Sequence, residues 1–191
     1  MEYDGKKAQR QWQNKINNAQ GHIFEQCIKT ACLIYAELGR ARVEKIPEPF
    51  MVTSKGAGGT FAGRFTALAQ PDFQGTMAGG QSVVFEAKYT TTDRMKREVL
   101  TKEQMDALAG HWKMGAIAAV CAGIQNDCFF VPWPVWDKMK DRFGRKYVTA
   151  KDLEIYRVKF NGAVMFWITS IRIGKREVSE DERAILHSIQ L

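Results

Sequence analysis

The chain has 191 residues, with 28 Lys and Arg against 21 Asp and Glu, a formal charge of +7. Hydrophobic residues make up 45% and charged residues 26%, which excludes a wholly disordered chain, a collagen and a coiled-coil rod. The length suits one domain with its own core, and no apolar run approaches the ~20 residues that cross a bilayer. The first residues, Met1 to Lys7, are charged and lack the apolar stretch of a signal peptide, so a cytoplasmic location and no membrane partner are expected. The positive balance suits a phosphate-rich partner. Cys27, Cys32, Cys121 and Cys128 form no C-x-x-C pair and the three histidines are scattered, so neither a zinc site nor disulfides are expected.

In chain order, residues 1–20 carry Lys6, Lys7, Arg10 and Lys15 and read as a flexible basic N-terminal arm, leaving a single domain over 21–191. Phe24, Cys27, Ile28, Ala31, Ile34, Tyr35 and Leu38 recur at helical spacing, which predicts a helix from His22 to Leu38 ended by Gly39. Glu25 flanks its apolar stripe, where a carboxylate needs a cation such as Arg40 or Arg42, or a metal. Arg42 to Ile46 reads as a short strand. Pro47-Glu48-Pro49 forces extended backbone, after which Phe50-Met51-Val52 continues the strand. Residues 53–64 are glycine-rich, carry Lys55 and Arg64, and lack the G-K-[ST] ending of a phosphate loop; they read as a protruding stalk or hairpin. Phe65 to Leu68 reads as a returning strand, and Gly79-Gly80 as a hairpin turn.

Ser82 to Tyr89 is the clearest strand. Its period-two alternation puts Val83, Phe85, Ala87 and Tyr89 on one face and Val84, Glu86 and Lys88 on the other. A helix is predicted over Thr101 to Ala109, opened by a Thr101–Gln104 capping box. Buried strands follow at Ala116 to Ala122 and Cys128 to Val131, then a helix behind Pro134 carrying Val135, Trp136 and Met139. Val164 to Ile173 reads as a strand and Asp181 to Ile189 as a terminal helix. Trp112, Trp133 and Trp136 read as core. Strands alternating with helices indicate an α/β domain with a mixed sheet.

The chemistry concentrates in Pro71-Asp72, thirteen intervening residues, then Glu86-Ala87-Lys88. A turn at Gly79-Gly80 brings the second strand back beside Asp72, so Asp72, Glu86 and Lys88 converge. Two carboxylates with the Ala87 backbone carbonyl form a hard-oxygen site for Mg²⁺ or Mn²⁺. Lys88 is placed to hold a water and to stabilise charge on a phosphate. The alternative is an ordinary strand edge with a Glu86–Lys88 ion pair. Gln104 is either a contact to the scissile phosphate or water, or only the N3 partner of a capping box. Lys96, Arg97 and Lys102 follow the strand and are placed to grip DNA phosphates, or to line a solvated loop. Arg142 to Lys146 form a further basic cluster.

Five motifs occur in order: Gly21-His22-Ile23-Phe24-Glu25, Gly39-Arg40-Ala41, Lys45-Ile46-Pro47-Glu48-Pro49, Asp72-Phe73-Gln74-Gly75 and Phe85-Glu86-Ala87-Lys88-Tyr89-Thr90. Together they resemble the RecU family of Holliday junction resolvases, within the PD-(D/E)xK nuclease superfamily, over about Gly21 to Phe160. The resemblance implies a restriction-endonuclease-like fold, a homodimer and Mg²⁺-dependent symmetric nicking of four-way junction DNA. It implies catalytic roles for Asp72, Glu86 and Lys88, a helix carboxylate role for Glu25, and a stalk over 53–64 that enters the junction. A recombinase is a further partner in this reading. Gln70-Pro71 stands where the family tends to carry hydroxyl residues, and Glu103-Gln104 where it carries His-Gln.

Overall fold

The computed structural model describes residues 3–47, 50–65, 70–160 and 167–168. Its elements are α1 (Tyr3–Glu37), β1 (Ala41–Lys45), β2 (Phe50–Lys55), β3 (Phe61–Phe65), β4 (Phe73–Met77), β5 (Ser82–Thr90), β6 (Arg94–Lys96), α2 (Lys102–Lys113), β7 (Ile117–Ile124), β8 (Asp127–Pro132), α3 (Trp133–Asp137), α4 (Met139–Phe143) and β9 (Tyr147–Thr149). A five-stranded sheet runs β1-β4-β5-β7-β8. Only the β5–β7 pair is parallel; β1–β4, β4–β5 and β7–β8 are antiparallel. The parallel pair needs a crossover, which α2 supplies. This is the mixed α/β sheet with flanking helices that the sequence predicts.

Each sheet face carries its own core. Val83, Phe85 and Ala87 of β5 pack with Phe24, Ile28, Ala31, Cys32 and Tyr35 of α1. Val84 points the other way, into a core shared with Leu108, Trp133, Trp136, Met139, Met95 and Val148. A strand buried on both faces reads as a near-continuous apolar run, as β7 does, buried from Ile117 to Ile124. On the α1 face, Phe85 stacks on Phe73 at 5.0 Å and meets Phe130 at 5.2 Å and Trp167 at 5.1 Å. These rings fix β5 one residue before Glu86.

Several boundaries differ from the sequence reading. The first helix starts at Tyr3 rather than at His22, so residues 3–20, expected as an arm, are its opening turns. That stretch holds Ala, Lys, Gln and Arg with no proline, so nothing in it halts a helix anchored further on. Phe50 to Val52 do not continue β1; they belong to β2, which pairs with β3 as a separate two-stranded hairpin. The helix behind Pro134 divides into α3 and α4 at Lys138. The ribbon β6–β9 was not expected at all. Of the predicted strand Val164 to Ile173 only Trp167 and Ile168 lie within the described residues, and the terminal helix lies outside them. All four cysteines are free thiols. No described helix is long and apolar enough to cross a membrane.

Two glycine features set the geometry of β4. Its turn into β5 places Gly79 and Gly80 at φ 88° and 85°, a region L side chains rarely adopt. Gly75 lies opposite Val43, and a Cβ there would stand 2.0 Å from the Arg42 carbonyl oxygen and 2.6 Å from Val43 Cα. Both are backbone atoms, so β1 must move. Gly75→Ala is expected to lower unfolding free energy by about 3 kcal/mol, read as a fall in the urea midpoint.

Candidate active site

The register of β4 on β5 builds the site. Phe73 pairs with Phe85, so Asp72, one residue earlier, faces Glu86, one residue later. Directly opposed residues share a face, and Lys88 follows two positions on. The Asp72 Oδ2 accepts a hydrogen bond from the Ala87 N–H at 3.0 Å. Lys88 Nζ lies 3.1 Å from Glu86 Oε2 and 3.7 Å from Asp72 Oδ2. The convergence expected from the P-D and E-x-K spacing is therefore present.

Glu86 is fully buried, while Asp72 and Lys88 stay partly open to solvent. Burial pushes the Glu86 carboxyl up to about 7; the neighbouring Asp72 charge adds to the rise and Lys88 opposes it. Its Oε2 is well partnered, but its Oε1 is buried with no hydrogen-bond partner. An unpartnered buried carboxylate oxygen is one that a cation or a water can satisfy.

Gln104 takes the capping-box role that the sequence offered and adds a contact to Glu86. It sits at the third position of α2 in a capping box: its backbone N–H donates to Thr101 Oγ1 at 3.3 Å, and its Oε1 accepts from the Thr101 N–H at 3.1 Å. Its Nε2 donates to Glu86 Oε2 at 2.7 Å. The cap thus fixes the carboxamide that holds the carboxylate. Gln104→Ala is expected to cost about 2 kcal/mol of stability in urea unfolding, since a hydrogen bond to a buried charge is lost along with half the box.

Glu25 takes a partner the sequence reading did not name. Its Oε2 pairs with Lys45 of β1, whereas Arg42 pairs with Glu44. Lys45 lies opposite Phe73, so this ion pair stands on the α1 side of the sheet, next to Asp72 in register but on the other face. The alternation of β1 signals this, because Val43 and Lys45 share a side. At Ala87, the contact to Asp72 runs through its N–H.

The residues expected to contact DNA are spread out. Lys55 and Arg64 lie on the exposed β2–β3 hairpin, which pairs with no other strand among the described residues. Lys96 and Lys102 are exposed, Lys102 at the start of α2 beside the site. Arg97 is tied down, donating to Asp137 Oδ1 at 2.8 Å and to the Asp137 carbonyl at 3.3 Å. Trp133 and Trp136 are buried as expected, and Trp112 packs against the same core.

Residues 19–173 match the family RecU, Recombination protein U. The chain belongs to the RecU family. That family comprises Holliday junction resolvases, nucleases of DNA recombination, and the assignment carries this function to the chain; divalent-metal dependence is general in the family. No curated protein matches the chain. Among solved structures, it is similar to Hjc, a Holliday junction resolvase from the archaeal hyperthermophile Archaeoglobus fulgidus. The identity is 14%, the TM-score 0.45, and the match covers 77% of this chain and 97% of that one.

The donor set fits a hard divalent cation. Asp72 and Glu86 supply carboxylate oxygens, one of them buried and unpartnered. Among the described residues no three His, Cys, Asp or Glu side chains gather to enclose a metal. Two carboxylates with water completing the shell suit a hard divalent cation.

Proposed function

We propose that this RecU-family protein cuts four-way junction DNA as a homodimer, with Asp72, Glu86, Lys88 and Gln104 as its catalytic group and Mg²⁺, or Mn²⁺, as its metal. The observation that carries the reading is the meeting of these four side chains on one face of the sheet. In it Asp72, Glu86 and the Ala87 carbonyl would hold the ion. When bound, the ion supplies Lewis-acid stabilisation of charge on the phosphate.

The chain's own residues do the rest. Lys88 donates hydrogen bonds to the attacking water and balances negative charge beside it. Gln104 keeps Glu86 in a single orientation, which is preorganisation fixed by the helix cap. Water attacks in line and gives its oxygen to phosphorus, the P–O3′ bond breaks, the proton released by the water is balanced by one taken from solvent by O3′, and the products carry 5′-phosphate and 3′-hydroxyl ends. Glu25, its charge balanced by Lys45, is the helix carboxylate on the α1 side of the sheet, across from the catalytic group. Lys55 and Arg64 on the hairpin, with Lys96, Arg97 and Lys102, supply salt-sensitive affinity, and two protomers nick opposite strands. The cytoplasm is its place of work, beside a recombinase.

The test uses a labelled immobile junction, a flap and a linear duplex, each with Mg²⁺, Mn²⁺ or EDTA. Paired symmetric nicks in the junction alone, lost in EDTA, are expected. Equal cutting of flap and duplex would discard junction selectivity. Tight junction binding with no cleavage in either metal would discard the catalytic assignment.

A further inference from the structure

The ribbon β6–β9 and the short helix α4 lie outside the catalytic group. Both rest on the core that backs the Glu86 face: Met95, Met139 and Val148 are buried there. Met95 and Val148 point inward, so by alternation Arg94, Lys96, Tyr147 and Thr149 form the outer face of the ribbon. The register sets Lys96 opposite Tyr147 and Arg94 opposite Thr149.

The cations of this region fall into two kinds. One kind is engaged in building it. The Arg94 and Arg145 guanidinium groups lie 5.2 and 4.7 Å from the Tyr147 ring centroid. Arg145 also donates to Asp152 at 2.6 Å, Arg94 pairs with Asp93, and Arg97 pairs with Asp137. The other kind is Lys96, Lys138, Lys140, Arg142 and Lys146, all exposed and with no acidic partner among the described residues. The engaged cations tie the ribbon to its neighbours, and the unpaired ones beside it are left exposed.

We propose that this platform is a docking strip for the phosphate backbone of a duplex arm, bound separately from the junction centre. The partner is fixed by chemistry. Unpaired Lys and Arg on a braced ribbon suit a regularly charged polyanion. The location supports it, because β6 leaves the C-terminal end of the strand that carries Glu86 and Lys88. An arm leaving the active site along that edge meets the strip next. The proposal rests on the reading of junction DNA as substrate.

The test compares two double variants of equal charge. One is Lys96→Gln with Lys146→Gln on the strip. The other is Arg40→Gln with Lys113→Gln, exposed residues at the opposite end of the sheet, beside the Gly79 turn and the start of β7. Binding to a fluorescent four-way junction is measured by anisotropy in EDTA over a series of KCl concentrations. Loss of two phosphate contacts should reduce the slope of log affinity against log salt by about 2 and weaken binding about tenfold or more at moderate salt. The control pair should leave the slope unchanged, and both variants should melt as the parent does. Equal slopes in the two variants overturn the strip and leave the resolvase reading standing. A parent chain that does not bind the junction overturns both.

Discussion

Asp72→Asn is expected to abolish junction cleavage while preserving junction binding and the fold. The substitution is nearly isosteric, and the Asn carbonyl oxygen still accepts from the Ala87 N–H that Asp72 engages at 3.0 Å. Asp72 is partly exposed, so no buried charge is stranded. Lys88 keeps Glu86 at 3.1 Å as its counter-ion. What disappears is one of the two anionic oxygens that face each other across β4 and β5. Losing it removes several kcal/mol of transition-state stabilisation, a rate loss of about 10³-fold or more. Single-turnover cleavage measures the rate, anisotropy in EDTA measures binding, and thermal melting checks the fold. A variant that cuts at the parent rate would remove Asp72 from the catalytic group. A variant that melts well below the parent would make Asp72 a structural residue instead.

The site was legible in the sequence because its parts are set by short-range rules. Alternation along Ser82 to Tyr89 separates Glu86 and Lys88 from Val83, Phe85 and Ala87, and a glycine pair returns the chain so that Asp72 faces Glu86. Gln104 was legible as a cap from the Thr101 spacing, and its second bond follows from where α2 starts relative to β5. Contacts set by tertiary register were not legible. Lys45 reaches Glu25 because β1 pairs with β4 and packs on α1, while the nearer candidates, Arg40 and Arg42, lie elsewhere. The ribbon escaped for the same reason. Its strands are three residues each and lie far apart in sequence, too short for any period to show. The first helix extends beyond its apolar stripe because its opening residues include good helix formers and no proline.

Glu86→Gln is expected to stabilise the metal-free protein at alkaline pH while abolishing cleavage. Burial and the Asp72 charge raise the Glu86 carboxyl from an ordinary 4.5 to about 7. Between these values the folded chain keeps a proton that the unfolded chain has released. The unfolded state therefore binds fewer protons there, and stability falls as pH rises through this window, levelling off above about 7. The fall amounts to about 3 kcal/mol, at 1.36 kcal/mol per pK unit. Urea unfolding in EDTA should show the parent less stable at pH 8 than at pH 5 by about this amount, with the slope reduced in Glu86→Gln. Mg²⁺ added at pH 8 should restore stability to the parent and not to the variant, because a ligand that binds only the folded state stabilises it. A flat stability profile in the parent would mean that Glu86 titrates normally and that its unpartnered oxygen is solvated. The same burial that costs the empty site stability is what makes its carboxylate seek a cation, so both effects should vanish together in the one variant.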